Sequence, residues 1–485
     1  MADLLISDAA VLQPDGSIAW HQDVTVEGGR FTRICPHGMR DEGTDVPGAP
    51  GQTGRASASG LSDVPGQSGM SGLSGSRCKT IINGAGKLVM PPLADCHMHT
   101  GQQLLKGRIL DELPMIWTRI MLPFESTLTP ERMTLSAGLA ALEMILSGTG
   151  AFIDAGSYHM EAAAEVYLQS GLRGILSAST MDQPGLPPSI AQNAEEAIAQ
   201  TDRLYDAFHG KGLLNVAYSL RSLISCSPEL IDRAGARAAE RDTLLQAHMN
   251  EYPNEVNYYL QHYGCRPVEY LSSRGILGPR FLGAHSILLS SREEELLAQS
   301  QSLVCHCPFS NCGKGAPDTP GLLERGVTVG LGTDGAAHGG LSLWNEMKIF
   351  RSVMNVTWGV STSDPAIMPA SRILSMATQN GYAIMGMPEG GRIQEGAPAD
   401  FITIRLDAPH LYPTGNLVNT LLECVTAGDV ADMAVDGKLV MKERQVLTLD
   451  QEKILFEARK YMEGQAEQQA ARQDSSCGSE KEACS

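Results

Sequence analysis

Through the middle of the chain, short apolar runs alternate with longer stretches whose apolar positions recur every three or four residues. The runs are LVMPPLADCH, GAFIDAG, GLRGILSAS, LLNVAYSL, LLQAHMNE, FLGAHSI, SLVCHCP and VTVGLGTDG. Their length and β-branched content predict buried strands. The stretch ERMTLSAGLAALEMILSG, with Leu135, Leu139, Leu142 and Leu146 at helical spacing, predicts an amphipathic helix. Strand alternating with helix requires a parallel sheet, and a count of eight strands favours closure into a TIM-like (β/α)8 barrel over an open α/β sheet.

A different pattern marks the flanks. LLISDAAVLQ, DVTVEGGRFTRI and KLVM on one side, and DFITIRL and DMAVDGKLVMKERQVL on the other, alternate apolar and polar residues as half-buried strands do. VEGGR and VDGK fit hairpin turns. We expect both chain ends to form one composite β-sandwich domain, from residues 1–90 and 391–449, around a barrel at 91–390. The segment 38–76 is dominated by Gly, Ser and Pro and reads as a flexible surface insertion. Residues 450–485 are expected to form a helix that gives way, after Glu463, to a polar, frayed tail.

Composition narrows the partners. At 485 residues the chain can bury a large core, and it has no apolar run of membrane-spanning length. A formal charge of −18 repels phosphate backbones and anionic lipid, which argues against nucleic acid or a membrane surface as partner. The opening residues lack a basic segment followed by an apolar one, so a cytoplasmic location is expected, and the 11 cysteines read as reduced thiols. A small molecule is the expected partner, with a homo-oligomer, by default a dimer, as the assembly.

The candidate chemistry lies at the strand ends, where (β/α)8 barrels carry their active sites. His97 and His99 are two apart in an extended segment and share one side. His248, His285 and Asp334 close three later runs. Three histidines and a carboxylate suit a divalent ion, zinc before iron, with a position open to water. Cys305, Cys307 and Cys312 lack the second Cys-x-x-Cys pair of a structural zinc site. The His-x-Glu and Pro-Cys-x-x-Cys elements of cytidine-type deaminases are also missing.

In the same order, PPLADCHMH, HMNE, AHSI, HCPFSN and GLGTDG resemble the motifs of the amidohydrolase superfamily. Within it they are similar to the mononuclear group of guanine deaminases, methylthioadenosine/S-adenosylhomocysteine deaminases and triazine hydrolases. The resemblance implies a single metal held by His97, His99, His248 and Asp334, and no lysine stands at the end of strand four to hold a second. It implies that Glu251 shuttles a proton and that His285 and Asp334 orient and deprotonate water attacking an N-heterocycle. A protonated Glu251 would donate to the adjacent ring nitrogen.

Substrate contacts are expected from Gln102, Glu125, Arg221 and His338. By resemblance to guanine deaminases, Gln102 and Arg221 point to an oxo-purine or pterin, since an amide and a guanidinium fork match a carbonyl beside ring nitrogens. The later segment, including MPASRILSMATQNGYAIMG, is instead closer to nucleoside deaminases and triazine hydrolases, the alternative reading. A non-catalytic scaffold relative is the remote alternative, argued against by the full ligand set.

Overall fold

The computed structural model describes residues 2–39, 78–112 and 116–482. The first flank supplies β1 (Leu4–Leu12), β2 (Ile18–Glu27), β3 (Arg30–Pro36), β4 (Thr80–Asn83) and β5 (Lys87–Met90). The middle supplies β6 (Leu93–His99), β7 (Thr149–Asp154), β8 (Arg173–Leu176), β9 (Leu214–Val216), β10 (Tyr218–Leu220), β11 (Leu245–Met249), β12 (Phe281–His285), β13 (Leu303–His306), β14 (Val329–Leu331) and β15 (Asp334–Gly335). The last flank supplies β16 (Phe401–Arg405), β17 (Val430–Val435), β18 (Lys438–Lys442) and β19 (Gln445–Val446).

The two flanks meet in one nine-stranded sheet of order β19-β18-β17-β16-β5-β1-β2-β3, with β4 beside β1. Both expected hairpins form, and their turns explain why. Gly28 and Gly29 (φ 57° and 77°) join β2 to β3, and Asp436 and Gly437 (φ 53° and 72°) join β17 to β18. Consecutive left-handed residues give the turn whose twist matches that of paired strands, and glycine takes that conformation without steric cost. One face of the sheet buries Ile6, Val24, Val26, Phe31, Val89 and Phe401 together. The seam between the flanks is also ionic. Lys87, where β5 begins, donates to Asp432 on β17 at 2.9 Å, a partner 345 positions away.

The middle strands form two five-stranded parallel sheets, β15-β6-β7-β8-β9 and β10-β11-β12-β13-β14. Each of the eight predicted runs contains at least one of these strands. LLNVAYSL is split at Ala217 into β9 and β10, and VTVGLGTDG is split at Gly332 and Thr333 into β14 and β15. Each split run therefore contributes to both sheets, and β15 pairs with β6 by setting Asp334 opposite Met98. Beneath this junction the Asp95 carboxylate accepts from Thr333 Oγ1 at 2.6 Å and from the Thr333 amide at 3.1 Å. Cys96, Ile153, Ile175, Leu282, Cys305 and Cys307 pack into an inner apolar cluster contributed by both sheets. Cys312 is exposed. Burial pushes the Cys307 thiol up to about 12, so it serves as a small apolar filler rather than a thiolate.

The predicted amphipathic helix spans Pro130–Ser147, capped by Thr129 and ended by Gly148 in the left-handed conformation. Of its leucine stripe only Leu142 is buried. Met133, Ala137, Ala140, Ala141, Met144 and Ile145 are buried, while Leu135, Leu139 and Leu146 stay partly exposed. Small alanines let the helix approach its neighbours closely, which moves the larger leucines to the rim. Leu135 lines a groove with Ile454 and Tyr461 of the last helix.

That last helix, Gln451–Glu482, continues through the polar segment expected to fray. The Ala, Gln, Glu and Arg residues in AEQQAARQ are strong helix formers, which outweighs the missing apolar stripe. The Gly/Ser/Pro-rich insertion falls almost wholly outside the described residues. Among the described residues no helix is long and apolar enough to cross a membrane.

Candidate active site

The expected residues converge where β6, β11, β12 and β15 end. His97, His99, His285 and Asp334 are at most 4% exposed and His248 is 8% exposed. Ligating atoms of His97, His248, His285 and Asp334 all lie within 4.8 Å of one another. Backbone strain marks the same strand ends, since Asn250, His285 and Asp334 are left-handed (φ 47°, 65° and 59°). For residues with a β-carbon this costs about 1 kcal/mol or more each, and it persists where the surroundings fix it.

The protonation states suit a metal. Burial, and next the charge of His285, push His97 down to about 3. Burial followed by Arg221 lowers His99, and burial followed by His97 lowers His248, both well below the usual imidazole range. Burial opposes the charge on Asp334, but His338, His285 and Lys314 outweigh it and hold the carboxyl far below its ordinary value. Neutral imidazoles beside one ionised carboxylate form the donor set of a divalent ion. Both ring nitrogens of His97 and Nε2 of His285 are buried without a hydrogen-bond partner. Buried polar atoms are seldom left unpaired, so these orphans fit a bound ion.

His99 Nε2 faces His248 Nε2 at 3.2 Å and Asp334 Oδ1 at 3.4 Å, and its Nδ1 lies 2.8 Å from Arg221 Nη1. His285 stands in the close four-residue group with His97, His248 and Asp334. Its Nδ1–H donates to Asn311 Oδ1 at 3.0 Å, which turns Nε2 inward. Nε2 lies 3.7 Å from Glu251 Oε1 and 3.9 Å from Asp334 Oδ2.

Gln102, Arg221 and His338 line the pocket above this centre, together with Ile116, Trp117, Met121, Ile224 and Tyr252. His338 donates from Nδ1 to Gly335 O at 3.3 Å, with the same nitrogen 3.7 Å from Asp334 Oδ2. Two of the expected substrate contacts are already engaged. Arg221 Nη2 and Gln102 Nε2 both donate to Glu125 Oε1, at 2.9 and 2.8 Å. Glu125 itself lies behind them and lines a neighbouring cavity with Tyr158, His159 and Gln192.

The pocket residues that were not foreseen include a buried cation. Lys314, in the loop after the short helix Pro308–Asn311, donates to Glu251 Oε1 at 2.5 Å and to Ser310 Oγ at 2.7 Å. Burial would raise the Glu251 carboxyl, but His285 and then Lys314 outweigh it and bring the value down. The sequence reading had Glu251 starting as a protonated acid; its neighbours favour the carboxylate. A buried lysine in a glycine-flanked loop, GKG, has no periodic signal, and only its place just after HCPFSN could have drawn attention.

Residues 88–440 match the model of the amidohydrolase family. The chain belongs to the amidohydrolase family. It is an enzyme of carbon–nitrogen bond hydrolysis, with a buried three-histidine, one-aspartate group. This amidohydrolase is 32% identical over 394 residues to the 5-methylthioadenosine/S-adenosylhomocysteine deaminase of Desulfitobacterium hafniense, covering 80% of this chain and 88% of that one. Its fold is similar to a zinc-bound adenosine deaminase from Xanthomonas campestris (TM-score 0.82, 23% identity, covering 95% and 98% of the two chains). It is also similar to a guanine deaminase from C. acetobutylicum with bound guanine (TM-score 0.76, 19% identity, 90% and 99%).

Proposed function

We propose that this amidohydrolase deaminates an N-heterocycle, and that its substrate is an adenosine-type nucleoside with an apolar sugar substituent rather than an oxo-purine. The observation that carries the choice is the engagement of Gln102 and Arg221 by Glu125, which commits a donor of each to the protein and turns the pair away from the fork an oxo-purine would use. Ile116, Trp117, Met121, Ile224 and Tyr252 leave an apolar, aromatic wall that suits a thioether or alkyl group. The relative named a methylthioadenosine/S-adenosylhomocysteine deaminase supports the same reading. The oxo-purine reading is favoured only by the chemistry of Gln102 and Arg221 taken alone and by the guanine deaminase of like fold.

The side chains that would hold a divalent ion, zinc first, are His97, His99, His248 and Asp334; such an ion supplies Lewis-acid activation of water. His285, fixed by Asn311, offers Nε2 to the proton released as water adds to the ring carbon bearing the amine. Glu251 takes the other proton of that water and passes it to the adjacent ring nitrogen, which avoids a buried anion at the tetrahedral carbon. The proton held by His285 passes to the leaving nitrogen; the carbon–nitrogen bond breaks, ammonia departs, and a carbonyl remains beside the ring N–H. The pocket walls exclude bulk water from these transfers.

The same reading takes the two parallel sheets as one closed eight-stranded barrel. The runs shared at β9/β10 and β14/β15 and the pairing of Asp334 with Met98 support closure. It takes the nine-stranded sheet as a two-layered composite β domain, supported by its separate apolar cluster.

The test is ammonia release from methylthioadenosine, S-adenosylhomocysteine, adenosine, guanine and isoxanthopterin, with bound metal measured by elemental analysis. About one equivalent of metal and preferential turnover of methylthioadenosine are expected; turnover confined to guanine or isoxanthopterin would return the assignment to oxo-purines. Glu251→Gln should keep the metal and lose about 10³-fold in kcat, and full activity in that variant would exclude its proton-transfer role.

A further inference from the structure

One loop touches every group that the deaminase reading assigns to proton transfer. Ser310 Oγ donates to Asp334 Oδ2 at 2.6 Å, Asn311 Oδ1 accepts from His285 Nδ1 at 3.0 Å, and Lys314 Nζ reaches Glu251 Oε1 at 2.5 Å. The loop is itself fixed. Phe309 N donates to the buried Glu346 carboxyl at 2.8 Å, and the amides of Lys314 and Gly315 both donate to Asn311 O, at 2.8 and 2.9 Å. The donor directions are mutually consistent. Ser310 Oγ accepts from Lys314 while donating to Asp334, which gives a continuous path Glu251–Lys314–Ser310–Asp334.

We propose that Lys314 is a positioning residue, whose ammonium, acting through Glu251 on one side and Ser310 on the other, fixes where Glu251 meets the heterocycle. Its side chain is 5% exposed, and the Tyr252 ring covers it at 5.2 Å. A lysine this deeply buried costs several kcal/mol unless its charge is matched. Both matching partners are functional acids, at 2.5 Å and 4.0 Å, rather than remote structural ones. A glutamate carboxyl turns freely about its terminal bond, and a proton transfer to a ring nitrogen tolerates little misplacement, so a fixed cation on one oxygen aims the other.

The proposal rests on the deaminase reading, and its test separates the two. In Lys314→Met, kcat should fall about 100-fold while KM stays within about 3-fold and one equivalent of metal is retained. Adding Lys314→Met to Glu251→Gln should slow the enzyme by no more than about 2-fold further, because both act through one carboxyl. Propylammonium should restore part of the kcat of Lys314→Ala. If Lys314→Met does not fold, Ser310→Ala breaks the path at its neutral link and should lower kcat about 10-fold. Wild-type kcat in Lys314→Met, or fully multiplicative losses in the double variant, would overturn the proposal. A wild type that deaminates none of the panel removes the deaminase reading. Crystal structures of wild type and Lys314→Met then decide the positioning question, and a Glu251 carboxyl that stays in place without Lys314 overturns it.

Discussion

Two polar clusters lie side by side at the floor of the pocket, equally buried and differently finished. In the first, His97 and His285 keep ring nitrogens with no protein partner. In the second, Glu125 collects donors from Gln102 and Arg221, and Arg221 spends a further donor on His99. Residue type does not separate them, because both contain charged and neutral hydrogen-bonding groups. What separates them is whether their charged groups are matched from within; in the second cluster Glu125 and Arg221 pair with each other, and only the neutral Gln102 Oε1 lacks a partner. Ring nitrogens held unsatisfied against the cost of burial await something from outside the chain, whereas a network self-satisfied in its charges is wall and scaffold, with Gln102 Oε1 as its one open acceptor.

The largest effect should come from damaging the unsatisfied cluster. His97→Ala should abolish metal retention and lower kcat by more than about 10³-fold with little loss of fold, checked by elemental analysis, turnover and circular dichroism. The self-satisfied cluster should respond the opposite way. Arg221→Met strands the Glu125 carboxylate and should cost about 3–5 kcal/mol in urea unfolding, and Glu125→Gln in the same chain should recover most of it. If Arg221→Met instead leaves stability unchanged and raises KM alone, Arg221 is a substrate contact and the comparison fails. The smallest effect belongs to the apolar wall. Trp117→Ala should raise KM for methylthioadenosine about 10-fold and for adenosine less, with kcat little changed.

The sequence made the strand runs legible because apolar length and strand-end polarity are local properties. His97, His248, His285 and Asp334 could therefore be placed at strand ends before any contact was known. The kinks at Ala217 and at Gly332 and Thr333, which pass a run from one sheet to the other, depend on neighbours across the sheet and left no local mark. The Glu125–Arg221 pair spans 96 positions and the Lys314–Glu251 pair spans 63, and neither partner announces the other. The leucine stripe of Pro130–Ser147 was legible as a helix, but helical spacing alone does not say which of its apolar positions turn inward.

The seam between the flanks also sets a timetable. Lys87 emerges from a ribosome 345 residues before Asp432, and at roughly 5–20 residues per second that interval is about 20–70 s. For most of it, until Phe401–Arg405 has been made, β5 has β1 on one side and an unpaired edge on the other. The nascent chain thus carries an open strand edge for most of its synthesis, the condition under which association with other chains competes with folding. An ion pair that reads as a minor stabilising contact in the finished enzyme thereby also marks the arrival of β17, the strand that backs the one sealing that edge.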